Sequence, residues 1–348
     1  MTNFDTVEAS SGGLPRLVLP NLLWTGGCLP LEYRGEVVHG HMGVFLVRGS
    51  EKTILIDSGN PLHWEQMETA VEAFLGDRPL DYVFLTHGEF PHAGLMTQWL
   101  EKYPRAIAVG DLPEYPLLYP DLAHRIKQVK AGDSLDLGDR SIFFLPAVWR
   151  DLDTLWAFDN KDRVLFVSDA FGYLHYHKDG ECDRMSSEMP PPDAVMMQFV
   201  NERALYWTNH TDVELTFADL DEILQRLKPR LIAPAHGGIV DNAEVTTELF
   251  KEGMKTMSAP GRSADAPPAD QSAARVQPSS LAEIIPDTLY ALGGTILASR
   301  SLPWTAPGLE GWDALPVLPF QERREGAVDR WRTCGASSED LRRPVQPA

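Results

Sequence analysis

The stretch that decides the fold reads DYVFLTHGEFPHAG and covers residues 81–94. An apolar run of β-formers ends at Thr86, and three potential metal ligands, His87, Glu89 and His92, follow within six residues. A strand that ends in a polar loop before a helix holds such side chains at a rigid edge. Imidazole with carboxylate is typical of iron, manganese or zinc sites without thiolate. The motif alone also fits two surface histidines and a loop glutamate.

Two later positions place a ligand type of residue directly after an apolar strand. Residues 164–168, VLFVS, are followed by Asp169, and residues 231–235, LIAPA, are followed by His236 and two glycines. A carboxylate at a strand end can bridge two cations. Taken singly, Asp169 is more often a turn cap and His236 a core histidine. Three such strand ends in one chain favour a metal site.

Composition limits the class of protein. The 348 residues suffice for one large domain with an extension or for two modest domains, and a hydrophobic content of 43% supports a sizeable core. The net charge of −19 argues against nucleic acid or an anionic membrane as the main partner. The first residues lack the pattern of an export signal, and no stretch approaches roughly 18 apolar residues. We therefore expect a soluble, cytoplasmic protein.

The three cysteines are Cys28, Cys182 and Cys334, which are far apart in the sequence and form no C-x-x-C unit. This spacing predicts neither a disulfide framework nor a thiolate zinc site. A reducing cytosol is the expected environment.

The hydrophobic pattern predicts two packed sheets with helices outside, an α/β (α+β) fold. The predicted strands are residues 17–24, 43–47, 53–56, 81–86, 106–109, 141–145, 154–158, 164–167 and 231–233, with a hairpin joining the second and third. The predicted helices cover residues 63–75, 95–103, 193–207 and 217–227, the last with Thr216 as its N-cap.

The chain is predicted to divide into three parts. Residues 1–257 form the metal-binding domain, and residues 258–280, dense in Ala, Pro, Ser and Asp, form a flexible linker. Residues 281–348 regain tryptophans without sustained periodicity. We expect an extension of unknown role, either lying against the main domain or binding a partner.

Together these motifs resemble the metallo-β-lactamase superfamily and, more specifically, its di-iron branch, the flavodiiron proteins. That branch carries H-x-E-x-D-H where hydrolases of the superfamily carry H-x-H-x-D-H, and residues 87–92 read HGEFPH. DAFG at residues 169–172 matches the segment with the branch's bridging aspartate, and AHG at residues 235–237 matches the turn with its last histidine. The likeness spans about residues 17–249.

The resemblance implies a metallo-β-lactamase-like αββα sandwich with the metals at the edge between the two sheets. It assigns His87 and Glu89 to one iron, and His92 and His236 to the other. Asp169 would bridge the two irons.

In this chain each metal loses one ligand of the branch. The aspartate between the loop histidines is replaced by Pro91, and a second histidine of the branch is replaced by Arg150. Either Asp151 or Asp153 substitutes, or the positions are left to water and substrate, or only one metal binds well. A metal-free relative is a further alternative, because a metal site needs its full set of ligands for affinity.

Five further residues have weaker assignments. Asp57 ends a strand near the site, and we expect it to orient a ligand histidine. His39, His41, His175 and His177 are interpreted as surface or loop groups, with hydrogen bonding near the metals or a replacement ligand as the alternative.

The favoured hypothesis is a non-haem di-iron oxidoreductase that binds dioxygen and reduces it or uses it on a small molecule. Iron is the expected cofactor, with manganese or zinc as alternatives. Residues 281–348 are too few for the flavodoxin-like domain that flavodiiron proteins usually carry. We therefore expect no flavin domain in this chain, and electrons from a separate donor or from the organic substrate.

Two alternatives remain at the level of sequence. One is a metal-dependent hydrolase of an ester, lactone or phosphoester, against which Glu89 and Pro91 count because hydrolases carry His and Asp there. The other is a non-catalytic oxygen-binding sensor. The oligomeric state is open, with a homodimer as one possibility.

Overall fold

A computed structural model describes residues 13–33, 36–149, 153–178, 180–210 and 213–258. The predictions for Asp151 and for residues 259–348 lie outside the described residues. Among the helices of the described part, none is both long and apolar enough to cross a membrane.

The first sheet has seven strands in chain order, antiparallel up to the fourth and parallel from there on. Its strands are β1 (Arg16–Leu19), β2 (Leu22–Tyr33), β3 (Glu36–Arg48), β4 (Thr53–Ile56), β5 (Tyr82–Phe84), β6 (Ile107–Gly110) and β7 (Ile126–Gln128). The predicted hairpin between β3 and β4 is confirmed.

The second sheet has five strands: β8 (Ser134–Asp136), β9 (Ser141–Pro146), β10 (Leu155–Asp159), β11 (Val164–Ser168) and β12 (Leu231–Pro234). They lie in the order β12-β11-β10-β9-β8. β11 and β12 are parallel, whereas the remaining neighbours are antiparallel. The two parallel pairs of interest, β4 with β5 and β11 with β12, therefore each present two carboxyl ends side by side.

The helices of the described part fall into two groups along the chain. The first group is α1 (Trp64–Leu75), α2 (Phe90–Ala93), α3 (Met96–Lys102) and α4 (Tyr115–Leu118). The second group is α5 (Ala194–Ala204), α6 (Glu214–Leu227) and α7 (Ala243–Ser258). Short 3₁₀ turns cover Pro61–His63, Pro120–Arg125, Ser186–Glu188 and Tyr206–His210.

Side-chain alternation explains why these strands read as continuous apolar runs. In β4, Ile54 and Ile56 face the core between the sheets, whereas Leu55 faces α1 and α3. In β5, Phe84 and Val83 divide in the same way. A strand that is covered on both faces has no solvent side, so its sequence shows no polar alternation. The predicted αββα sandwich is confirmed.

Two sequence predictions on local structure are wrong. Residues 17–24 form not one strand but the end of β1 and the start of β2, because the chain reverses at Pro20 and Asn21. Thr216 is not the N-cap of α6, since that helix begins at Glu214 after Val213. The Thr216 hydroxyl instead donates to the Val213 carbonyl from within the helix.

A buried ion pair ties together two turns of the second sheet. The side chain of Arg140, before β9, is fully buried and donates to Asp159 Oδ2 at 2.7 Å and to Asp162 Oδ2 at 2.6 Å. Asp159 is the last residue of β10, and Asp162 lies in the turn between β10 and β11. A charge out of water needs such partners, since its desolvation is otherwise uncompensated.

We predict that Arg140→Met lowers the free energy of unfolding by about 3–5 kcal/mol, because Asp159 is left buried without its cation. The denaturant midpoint measured by circular dichroism reports the change. The matched control is Lys161→Met, which removes an exposed partner of Asp139 in the same region. That change should stay within about 1 kcal/mol. Equal effects of the two substitutions would contradict the prediction.

Candidate metal centre

Four strands of the two sheets deliver the polar side chains of one site. Asp57 follows β4, His87 comes three residues after β5, Asp169 follows β11, and His236 comes two residues after β12. Ligands commonly bind outside the carboxyl ends of parallel strands, where the loops leave the sheet. The two sheets meet here, because the Thr86 hydroxyl lies 2.9 Å from that of Ser168.

The carboxylate of Asp169 is the centre of the site. Its Oδ1 lies 3.1 Å from His92 Nε2 and 3.1 Å from His236 Nε2. Its Oδ2 lies 3.6 Å from His87 Nε2, and that nitrogen lies 3.4 Å from Glu89 Oε2. The structure therefore brings together all five residues that the sequence predicts as metal ligands. Each oxygen of Asp169 faces a different subset of the others.

All three imidazoles are held at Nδ1 by an acceptor, which leaves Nε2 directed at Asp169. His92 Nδ1 lies 2.8 Å from Asp57 Oδ2, and His236 Nδ1 lies 3.0 Å from the carbonyl of His41. His87 Nδ1 lies 3.1 Å from the hydroxyl of Ser168. An acceptor at one ring nitrogen fixes a proton there, so the other nitrogen is the one that can give up a proton and bind a metal. Metal-binding histidines show this arrangement.

Comparisons with known proteins agree with this geometry. The family model described as metallo-beta-lactamase superfamily matches residues 44–236. The chain belongs to the metallo-β-lactamase superfamily. A coenzyme F420H(2) oxidase of Methanothermobacter marburgensis is 29% identical over 222 residues, which are 60% of this chain and 53% of the relative. A putative diflavin flavoprotein of Synechocystis is 34% identical over 176 residues, 48% of this chain and 29% of the relative.

Solved structures show the same fold. The flavodiiron protein of Giardia intestinalis superposes with a TM-score of 0.55 at 18% identity, covering 70% of this chain and 60% of that one. The rubredoxin oxygen:oxidoreductase of Desulfovibrio gigas gives 0.53 at 17% identity, covering 70% and 61%. With this shared fold, the sequence similarity to the F420H(2) oxidase and the diflavin flavoprotein confirms the predicted resemblance to the flavodiiron branch. The chain spans about half the length of the curated F420H(2) oxidases that it matches, for example 53% and 56% of two of them.

Within this metallo-β-lactamase site, Asp57 is the end point of a hydrogen-bonded relay. Asp57 Oδ1 accepts from the Thr86 backbone N–H at 2.8 Å and from the Thr86 hydroxyl at 2.9 Å. Because the Thr86 hydroxyl proton is used on Asp57, Thr86 accepts from the Ser168 hydroxyl, and Ser168 in turn accepts from His87 Nδ1. Because His92 contacts Asp57 directly, one carboxylate orients two of the three imidazoles. Thr86 and Ser168 have no special signature in the sequence, and reasoning from sequence missed them.

The backbone is strained where it positions these groups. Asp57 has φ 61° and Ser168 has φ 53°, both in the left-handed region that non-glycine residues rarely occupy. Phe171, two residues after Asp169, has φ 62°. Each such residue costs about 1–3 kcal/mol and tends to cluster at functional sites. Here the strain turns the chain sharply after β4 and β11, so that both carboxylates point at the histidines.

The loop that carries His236 is fixed by the DAFG segment. Tyr173 N–H donates to the His236 carbonyl at 2.7 Å. At Gly172 a Cβ would lie 2.5 Å from Val200 and 3.1 Å from that same carbonyl, so only glycine allows the close approach.

Two buried groups at the centre of the site, His92 and Asp169, have shifted pKa values. Burial alone would lower the pKa of His92, but the carboxylates of Asp57 and Asp169 outweigh it and raise that pKa well above its usual value. Burial alone would raise the pKa of Asp169, yet His92 and His236 hold it well below its usual range. A buried carboxylate that stays ionised in this way, as Asp169 does, attracts a cation.

Glu89 differs from the other donors because its side chain is about half exposed, at 51%. The contact with His87 lowers the pKa of Glu89, so the carboxylate remains ionised. The loop before it is held by Tyr115, whose hydroxyl donates to the Gly88 carbonyl at 2.9 Å. The site therefore opens to solvent on the Glu89 side.

The structure describes some of the positions at which this chain departs from the flavodiiron pattern, and others lie outside the described residues. Pro91 lies in the first turn of α2, where its missing N–H costs no hydrogen bond. Asp153 is half-buried and is not among the donors that lie within 4.8 Å of one another around Asp169. Arg150 and Asp151 lie outside the described residues. A replacement ligand therefore stays a prediction.

The interpretation of His41 and His175 as surface or loop groups is wrong. Both are buried, at 1% and 4% exposure, and their rings stack with centroids 4.3 Å apart. Burial lowers the pKa of His41 to about 4, so that ring is neutral. His39 and His177 are half-buried beside them. The cause is the long hairpin of β2 and β3, which the sequence predicted only over residues 43–47.

We predict that Asp57→Ala weakens iron(II) binding about 10–100-fold, because His87 and His92 lose the acceptor that orients them. Anaerobic titration with iron(II), read as iron per chain after desalting, measures the effect. Asp77→Ala, which removes an exposed carboxylate, serves as the control and should leave the iron content unchanged. Wild-type affinity in the Asp57 variant would show that the relay does not position the ligands.

Proposed function

We propose that this chain is a non-haem di-iron oxidoreductase that binds dioxygen and either reduces it or uses it on a small molecule. The observation that carries the proposal is the division of Asp169 between two sets of donors. Its Oδ1 faces His92 and His236, whereas its Oδ2 faces His87 beside Glu89. A carboxylate shared in this way can bridge two cations.

The donors support iron over softer metals. Three imidazoles and two carboxylates converge, and no cysteine is among them. Carboxylate and imidazole donors with open positions are typical of non-haem iron(II) sites that use oxygen. The similarity to F420H(2) oxidases and to flavodiiron proteins supports the same reaction class.

His87 and Glu89 would hold one iron, His92 and His236 the other, with Asp169 between them. The iron pair, when bound, would supply electrons to dioxygen. The relay through Thr86 to Asp57 keeps the Nδ1 protons of His87 and His92 in place, so that their Nε2 atoms remain available as ligands. The exposed Glu89 marks the side from which dioxygen and a small molecule would approach.

The replacement of a ligand by Pro91 favours metals with an open coordination position, where a reaction can take place, over metals whose positions are all filled by the protein. Proline offers no donor, so a position that another family member fills with aspartate is left to water or substrate. This opening is the reason that we include a small-molecule oxygenase or oxidase alongside a simple oxygen reductase. Electrons would come from a separate donor or from the organic substrate.

We expect protein loaded anaerobically with iron(II) to consume dioxygen on mixing and to develop a near-ultraviolet or visible band. An oxygen electrode and stopped-flow absorbance measure the two. Asp169→Ala should lower uptake per chain at least about tenfold, because both iron positions lose their shared ligand. Asp77→Ala should react like the wild type.

Three other results would overturn the proposal. Turnover of chromogenic esters with zinc under nitrogen, without oxygen uptake, would indicate a hydrolase with a metal-activated water. Reversible oxygen binding without consumption would indicate a sensor. Absence of bound iron at saturating iron(II) would indicate a metal-free relative.

A further inference from the structure

A second cluster of metal-ligating side chains lies away from the Asp169 site. Cys28 is on β2, His39 is on β3, and His177 and Cys182 belong to the segment after β11. One donor atom each of Cys28, His177 and Cys182 lie within 4.8 Å of one another. The sequence predicted no thiolate site, because the two cysteines are 154 residues apart, the difference of 182 and 28. Only the fold brings them together.

We propose that Cys28, Cys182, His177 and His39 form a structural site for a zinc ion, separate from the di-iron centre. Two thiolates and two imidazoles are the ligand set of tetrahedral zinc. Binding would release the two thiol protons, because the thiolate and not the thiol is the ligand.

Two distances in the cluster can be compared with those of a tetrahedral zinc site. Cys28 Sγ lies 3.1 Å from His177 Nε2 and 3.5 Å from His39 Nδ1. Zinc bonds of about 2.3 Å to sulfur and about 2.0–2.1 Å to nitrogen, at tetrahedral angles, put neighbouring sulfur and nitrogen ligands about 3.6 Å apart. The distance to His39 is close to that value, and the distance to His177 is shorter by about 0.5 Å. Small side-chain adjustments would complete the coordination.

The ring of His177 is already oriented for a metal. Its Nδ1 lies 2.7 Å from the Lys178 carbonyl, which fixes the proton at Nδ1 and leaves Nε2 with a free lone pair toward Cys28. Metal-ligating histidines commonly donate their other ring N–H to such an acceptor. The His39 ring lies against that of His177, with centroids 3.9 Å apart.

The two cysteines of the cluster are more deeply buried than the two histidines. Cys28 and Cys182 are buried, at 0% and 1% exposure, whereas His39 and His177 are half-buried. An ion would therefore enter from the histidine side and lie against two inner thiolates. A site closed by four protein ligands contributes to folding rather than to chemistry. Here it would pin the β2–β3 hairpin to the segment that follows β11.

The test uses the full-length chain with Asp169→Ala, which disables the di-iron centre. Titration with cobalt(II) under reducing conditions should give one tetrahedral site per chain, with visible d–d bands and a near-ultraviolet thiolate-to-cobalt band. Zinc should displace the cobalt and bleach both bands. The wild-type protein, purified with zinc, should protect two thiols from an alkylating reagent until a chelator is added.

Loss of any one of the four ligands should weaken cobalt binding at least about tenfold. We expect this result for Cys28→Ser, Cys182→Ser and His177→Ala, each introduced singly into the Asp169→Ala protein. His39→Ala should do the same. The matched control is Cys334→Ser, which removes the third cysteine, outside the described residues, and should leave the spectrum unchanged. Circular dichroism shows whether each variant is folded. If a variant does not fold, thiol protection in the wild-type protein still tests the site.

Several outcomes would overturn the proposal. A Cys28–Cys182 disulfide in protein purified without reductant, found by mass spectrometry together with no zinc, would make the cluster a redox pair. Absence of the thiolate band would exclude cysteine ligation. Unchanged affinity in the His39 variant would exclude the four-ligand site. None of these results depends on oxygen uptake at Asp169, so this proposal can fail while the di-iron proposal stands.

Discussion

The structure depends on one buried carboxylate held among three imidazoles at the meeting edge of two sheets. Asp169 is 2% exposed, and its two oxygens face different donors. An ionised group this deeply buried is tolerated only when charge and hydrogen bonds compensate its desolvation. His92 and His236 provide that compensation within the protein itself. A bound cation pair would provide it more fully, which is why the donor geometry favours metal.

The scaffold provides this geometry at the cost of local strain. Asp57 and Ser168 leave their strands in left-handed conformations, and both join the relay that passes through Thr86. Such conformations persist where surrounding contacts over-determine them. The sheets supply those contacts, because β4, β5, β11 and β12 are buried on both faces and cannot shift. Rigid strands thus hold the histidines near a common point, as a metal site requires.

His41 connects the two clusters of ligands. Its carbonyl accepts from His236 Nδ1, and its Nε2 contacts the carbonyl of Cys182 at 2.6 Å. It also lies opposite Cys28 in the register of β2 and β3. The proposed zinc site would therefore stiffen the same hairpin that orients His236, a ligand of the proposed di-iron centre. The buried, neutral stack of His41 and His175 has a structural role in that connection.

The sequence by itself determined the sandwich and the five candidate ligands, because Asp169, His236 and the loop of residues 87–92 each come shortly after a short apolar strand, and strand ends in this arrangement share one edge. Asp57 was also foreseen from its place after β4. Tertiary structure alone decided those contacts between distant residues that no local sequence pattern indicates. Thr86 and Ser168 become a relay only when the sheets meet, and Cys28 approaches Cys182 only through the β2–β3 hairpin, whose glycines interrupt the strand pattern. Hydrophobic periodicity records which face of an element is buried, but it carries no information on which distant side chains that burial brings into contact.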